Sequence, residues 1–347
     1  MQQRIFIILA LFMSLSIYAQ DKDPIEQSPL KYDTNYIIDY RYQLQVKAVG
    51  LTRQAEFRLI NRNESHSIDF STNNPFSFGA AIDYSWITLE YTKTLRGFEF
   101  TDVRKGKSAA QYYRIGMTGR KFAGNIFYKN TRGYNLENVN DWVPDWFENH
   151  EKYPFAPDLE TRILALSLYY TFNYRKYSNA AAIRQNARQI KSAGSPVVGF
   201  QTNIEGIYSP TPMLSSDSLA RKFLNISKVQ YLKLGITGGY MHTFSIKKRF
   251  YIHGALIQGF LYSVGKGNYH NYKEVDDINA LGISLYIRLA AGYNGKKWYS
   301  GMHLTGDFFA NDVSSDLFST SAYSNFKIFV GYRFHINRKA WMKKFYL

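Results

Sequence analysis

The chain has 347 residues, with 43 Lys and Arg against 27 Asp and Glu, a formal charge of +16. Cysteine is absent, which excludes disulfides, thiol catalysis, thiolate metal sites and a lipoprotein anchor through a terminal Cys. Aromatics reach 17%, more than a soluble globular chain normally carries, while 9 Pro and 24 Gly are too few for a disordered chain.

The first element reads as a secretion signal over residues 1–19. Arg4 supplies the positive start, Ile5 to Leu15 an apolar run broken only by Ser14, and Ala19 the small residue before a cut. A membrane anchor is the competing reading, but the run is short for the roughly 30 Å of hydrocarbon it would have to cross. Loss of Arg4 with the signal takes the charge from +16 to +15. Residues 20–35 are polar and read as a periplasmic lead-in.

Residues 36–335 then read as one domain of strands with period-two alternation, and residues 336–347 as a short tail. Val46 and Ala48 alternate with Gln45 and Lys47; Phe78, Ala80 and Ile82 with Gly79, Ala81 and Asp83. Leu89 and Tyr91 flank Glu90, and Ile126 and Tyr128 alternate with Asn125 and Lys129. Leu164 to Tyr170, Leu232 to Ile236 and Leu281 to Leu289 repeat the pattern. The last strand is the clearest. Phe326, Ile328, Val330, Tyr332 and Phe334 share one face and Lys327, Gly331, Arg333 and His335 the other, with Phe329 the exception. Strands with one oily and one cationic or small face suit a wall between lipid and water. The expected fold is all-β: a transmembrane antiparallel up-and-down β-barrel of about 12 strands, within a range of roughly 10 to 14. A secreted soluble β-sandwich is the competing reading, and it would need more frequent turns and shorter loops.

Short turns fall at Gly119-Arg120, Tyr174–Tyr177, Lys247-Lys248 and Asn294–Lys296, and long polar links at 96–108, 131–160, 209–227, 265–278 and 312–321. Short periplasmic and long extracellular connections are the rule for such barrels. Residues 178–208 look like two strands where parity wants one crossing, so either part of that stretch folds inward or the first 60 residues pair differently.

Four strings resemble an uncharacterised family of Bacteroidota outer-membrane proteins, labelled domain of unknown function 4421. They are Asn73-Asn-Pro-Phe-Ser-Phe-Gly79, Trp86-Ile-Thr-Leu89, Lys191-Ser-Ala-Gly-Ser195 and Gly239-Tyr240. The resemblance runs from about Tyr36 to Phe334 and implies a signal-bearing barrel, with no activity to carry over. Barrel assembly signals usually end in an aromatic residue. Here 12 residues follow His335, so Phe334 is the candidate, with Phe345 or Leu347 as the alternative.

Alternation directs Arg41, Lys47, Arg58, Arg114, Lys121, Lys129, Arg184, Lys233, Arg288, Lys327 and Arg333 to the lumen, with Asp83, Glu90, Glu205 and Asp307. Two readings follow. The charges form an ion-pair network that plugs a small barrel, or they line a passage favouring anions. His242, His253 and His303 sit in strands without a Gly-x-Ser-x-Gly elbow, and the loop carboxylates Glu274, Asp276 and Asp277 lack EF-hand spacing. No catalytic residue, metal or cofactor is assigned. The expected function is a non-enzymatic outer-membrane barrel, either a narrow anion-favouring pore or a structural and interaction barrel. An enzyme acting on lipid, or a receptor using loop 131–160, is the alternative. The expected partners are outer-membrane lipids, lipopolysaccharide and the barrel-assembly machinery, with a small anionic solute left open. Nucleic acid is not expected, because the basic residues are spread singly along strands.

Overall fold

The computed structural model describes residues 32–61, 66–73, 76–94, 102–210, 226–269, 275–312 and 317–335. The expected signal, residues 20–31 of the lead-in, Glu274, and the tail with Phe345 and Leu347 lie outside the described residues.

Fifteen strands are present among them. In chain order they are β1 (Ile37–Asp39), β2 (Leu44–Asn61), β3 (His66–Ser71), β4 (Ser77–Tyr84), β5 (Ile87–Thr94), β6 (Ala109–Thr118), β7 (Phe122–Leu136) and β8 (Phe155–Thr171). There follow β9 (Ala187–Gln189), β10 (Ala193–Tyr208), β11 (Ile226–Ile246), β12 (Phe250–Tyr269), β13 (Val275–Asn294), β14 (Trp298–Asp312) and β15 (Leu317–Phe334). Twelve of these form a closed antiparallel ring of sequential neighbours, β2-β4-β5-β6-β7-β8-β10-β11-β12-β13-β14-β15, shut by the pairing of β15 with β2. Closure satisfies the backbone donors and acceptors that an open sheet edge would leave unpaired in lipid. Among the described residues no helix is long and apolar enough to cross a membrane.

β2 is an 18-residue strand that meets β4 along its first half and β3 along its second. β3 in turn pairs with the end of β7, through Phe70 with Leu136. It fills the wall above the shorter β4, β5 and β6, so fewer strands close the rim at the long-loop end. In β7 a bulge lies between Arg132 and Tyr134, where Gly133 takes φ +85°. A side chain at Gly133 would be strained, and its Cβ would meet the Lys107 carbonyl at 2.8 Å. The extra residue flips the strand's parity and turns Tyr134 and Leu136 inward, where both are fully buried.

Every strand of the ring carries exposed apolar side chains on its outer face, among them Ile82, Leu89, Ile115, Leu164, Ile236, Leu256, Leu285, Leu304 and Ile328. A soluble barrel would bury these residues; this surface suits hydrocarbon. At the short-turn rim an aromatic girdle runs through Phe122 on Tyr170 (5.3 Å between centroids), Phe250 on Tyr293 (5.3 Å) and Trp298 on Tyr332 (4.8 Å). Phe334 continues it, 4.8 Å from Tyr332 and exposed on the outer face.

Two sequence expectations need correction, and one alternative left open by the sequence is decided. The long links are shorter than their polarity suggests: residues 131–136 extend β7, 155–160 begin β8, and β12 runs to Tyr269. Polar residues continue a strand wherever both neighbours supply hydrogen bonds. The stretch 178–208 makes one crossing, β10, and its first part folds inward, the first of the two alternatives; Tyr174–Tyr177 accordingly opens a long inward link from β8 and is not a short hairpin turn. The lumen is also not polar throughout. Val49, Leu51, Phe57, Ile257, Tyr299, Phe309 and Phe329 point inward and are buried against one another in clusters. Phe329, which broke the face of the last strand, keeps strict parity and fills the interior against Tyr299 and His303. Ring closure makes the small-barrel interior a packed core, and alternation alone cannot show that.

Candidate functional site

The lumen holds three layers, beginning at the short-turn end. The link from β8 to β10 leaves the wall at Phe172 and turns into the barrel through a π-helical turn, Ala180–Arg184, and then β9. Ala181, Ala182, Gln185 and Asn186 are almost wholly buried. β9 pairs with β1, so the segment before the barrel is stitched to this plug. Asp39 of β1 also pairs with Arg41 (2.8 Å) and with Arg120 of the β6–β7 turn (2.5 Å). Burial opposes ionisation of Asp39, but the hydrogen bonds and charges of Arg41 and Arg120 outweigh it and hold the carboxyl below its ordinary range.

The plug reaches the opposite wall. Arg184 Nε donates to Asp83 Oδ1 (3.2 Å) and its Nη1 to the Trp86 carbonyl (2.9 Å). Lys47 Nζ donates to the Arg184 carbonyl (2.8 Å) and pairs with Asp83 (2.9 Å). Gln185 Nε2 donates to the Tyr251 hydroxyl (3.1 Å), and Asn294 Nδ2 to the Ala187 carbonyl (2.9 Å). Arg333 donates to the Gln185 carbonyl and to Asn294 Oδ1, and stacks between Tyr40 and Tyr299 at 4.2 and 4.3 Å. The chain rejoins the wall at Lys191–Ser195. There Asn173 N donates to Ser195 Oγ (2.8 Å), and Ser245 N to Ser192 Oγ (3.0 Å).

The middle layer is a cavity of about 140 Å³. Five cations (Arg53, Arg114, Lys129, Arg288 and Lys327) and three carboxylates (Glu90, Glu205 and Asp307) line it. Lys327 Nζ grips both Glu90 oxygens (2.9 and 3.0 Å), with Arg114 3.8 Å from the same group. Glu205 accepts from Lys233 Nζ (3.0 Å) and the Tyr323 hydroxyl (2.6 Å). The remaining cations and Asp307 are not joined in this way.

The third layer closes the long-loop end. Inward residues of β2, β8, β10, β11 and β13, including Phe57, Leu159, Ile207, Tyr231 and Ile278, form one buried apolar cluster with Ile68 and Phe70 of β3. Residues 137–154 lie on it, with a 3-10 turn at Val139–Asp141 and a helical turn at Trp146–Asn149. Val139 is buried within the cluster, and Trp142, Trp146, Phe147 and Tyr153 pack against it. Trp142 Nε1 donates to the Ser67 carbonyl (3.0 Å), and Asn138 bridges Ser67 and Asp69. Trp142, Trp146 and Phe147 thus belong to an ordered, partly helical cap.

A family profile described as Domain of unknown function (DUF4421) matches residues 31–334. The chain belongs to this family. No curated protein matches the chain significantly. Among solved structures, the chain is similar to the toluene transporter TodX of P. putida, with 8% identity, 85% of this chain and 91% of TodX covered, and a TM-score of 0.29. It is similar to OmpT, an outer membrane protein of Vibrio cholerae, with 9% identity, 83% and 97% coverage and a TM-score of 0.31. It is also similar to the CymD monoaromatic hydrocarbon channel, with 9% identity, 86% and 90% coverage and a TM-score of 0.28. At such scores these likenesses carry no argument.

Three of the four strings that resemble the DUF4421 family meet at the plug. Trp86 supplies the carbonyl that Arg184 binds. Lys191–Ser195 is the plug's return to the wall. Tyr240 lies over Gly194, where a Cβ would come within 2.3 Å of its hydroxyl oxygen.

Of the eleven basic residues expected in the lumen, eight point there: Lys47, Arg114, Lys129, Lys233, Arg288, Lys327 and Arg333 from the wall and Arg184 from the plug. Three do not. Arg41 precedes β2 and binds Asp39, Lys121 lies in the β6–β7 turn beside Tyr174, and Arg58 faces outward on Asp69. Arg58 lies an odd number of residues from Lys47 along one unbroken strand, so it must take the other face. The same count would have found Arg53, a lumen cation that sequence reading missed. Asp83, Glu90, Glu205 and Asp307 all point inward. His253 bonds Thr243 (3.0 Å), His303 packs on Phe329, and His242 is turned outward against Phe244.

Proposed function

We propose that this DUF4421 chain is a non-enzymatic outer-membrane barrel whose lumen is closed at rest, and that it works as a structural or interaction barrel. The observation that carries this reading is the plug locked across the lumen by Arg184, Asp83, Lys47 and Arg333. Charges inside low-dielectric walls are costly unless paired. At the short-turn end Asp83, Lys47 and Arg333 bond the inserted segment itself. The outward apolar band and aromatic girdle support insertion in the outer membrane, with the short turns in the periplasm and the cap outside. The barrel-assembly machinery then reads Phe334 at the end of β15, and lipopolysaccharide is the lipid that surrounds the cap end of the barrel.

Planar-bilayer recording of the refolded protein tests the reading: wild-type barrels should insert and stay electrically silent. Steady conductance would overturn closure and favour a second reading, an anion-favouring pore, for which the excess of cations in the lumen speaks.

A further inference from the structure

Two of the three carboxylates on the lumen cavity are already engaged, Glu90 by Lys327 and Glu205 by Lys233. Arg53, Lys129 and Arg288 are left with Asp307. Arg53 is 8% exposed and Lys129 6%, inside a protein wall. Arg53 spends one Nη2 hydrogen on Thr92 Oγ1 (2.7 Å) and stacks on Tyr112 at 4.4 Å, while its Nη1 is buried without a partner. Lys129 lies 4.6 Å above the Tyr323 ring and makes no ion pair with a described residue. Arg288 Nε is buried without a partner, and so is Asp307 Oδ1. The charges acting on Asp307 are those of Arg288, Lys129 and Arg114, none close enough to pair with it. Unmet guanidinium and ammonium donors therefore face one roomy cavity, with two more cations than carboxylates on its lining.

We propose that this cavity is a binding site for one small divalent oxyanion of the phosphate or sulfate class, held by Arg53, Lys129 and Arg288. Guanidinium groups match such anions with paired, charge-assisted hydrogen bonds, and because Lys233 already neutralises Glu205 the lining carries an excess of three, of which a divalent anion would cancel two. The cavity has room for an oxyanion and accompanying water. Asp307 is the group that competes with the anion for the same cations. The proposal deepens the closed-barrel reading by giving the sealed lumen an occupant.

The test refolds the whole barrel into detergent micelles with radiolabelled sulfate or phosphate present, followed by gel filtration. Heat-modifiability on gels confirms folding of each variant. Wild type should retain about one label per barrel, whereas chloride should not displace it at equal concentration. Arg288→Gln and Lys129→Gln should each weaken retention by about tenfold or more, as expected for loss of a buried charge-assisted contact. Asp307→Asn, which removes the competing charge and needs no repacking, should strengthen retention several-fold. Absence of label from folded wild type would overturn the site. So would retention unchanged in Arg288→Gln, or weakened by Asp307→Asn. Conductance separates the two readings: an open channel that still retains label refutes closure and leaves the site standing, while a silent barrel without label does the reverse.

Discussion

Lys233 and Glu205 show what a charge does inside this barrel. Both are buried, 3.0 Å apart, with Tyr323 adding a second donor to the carboxylate. Removing one partner leaves the other charge buried alone, which costs about 3–5 kcal/mol, whereas removing both is nearly neutral. Lys233→Met should therefore destabilise the barrel by about that much in urea unfolding from phospholipid vesicles, and adding Glu205→Gln should restore most of it. Equal stability of the single and double variants would mean that the lumen is wet enough to solvate Glu205. The lumen charges were legible in the sequence wherever a strand's parity could be carried without a break. They were lost at Arg41 and Lys121, beyond strand ends, while on β2 the unbroken count from Lys47 was not carried through, so Arg58 was placed inward and Arg53 missed. No sequence pattern tells which inward cation has a partner, because the partners come from strands far away in the chain.

At the scale of the element, the β8–β10 link is the unusual one. Thr171 and Val197 are already cross-strand partners, so the wall needs no more than a tight turn there. Replacing residues 172–196 with a two-residue Asn-Gly hairpin should leave the ring intact and open its short-turn end, and removing cap residues 137–154 as well should turn the silent barrel into a conducting one. The current should favour anions, most strongly at 0.1 M salt, where the Debye length is about 10 Å, and less at 1 M. A double deletion that is folded but silent would assign closure to the apolar side chains of the wall itself. The cap makes its own prediction. A protease site inserted at Asp145, which takes an exposed left-handed turn, should be cut from outside intact cells. Resistance there with cutting only after lysis would reverse the orientation of the barrel.

For the whole molecule, the outer surface decides the solvent. Leu285 is 36% exposed on the lipid face, and its neighbour Ser284 is 2% exposed, bonded by Gln201 at 2.9 Å. Leu285→Arg should cost about 2–4 kcal/mol near mid-membrane and abolish heat-modifiable assembly, while Leu285→Phe should assemble. On alternation alone, Ser284→Arg is expected to be harmless because it faces water. In the packed interior an Arg at this position has no space, so it too should fail. Normal assembly of Leu285→Arg would refute the face assignment.

The sequence by itself determined the class of wall: period-two strands with one oily face, long and short connections in turn, and a count of about 12. Those are local properties, set by the pleat and by which neighbours alternate. Only the tertiary structure decided what fills the ring. Folding of residues 178–192 into the lumen, β3 standing in the wall above β4 to β6, and the pairing of Arg184 with Asp83 from 101 positions away all depend on closure. Closure brings inward faces of distant strands within side-chain reach, and alternation along any one strand carries no record of what stands opposite.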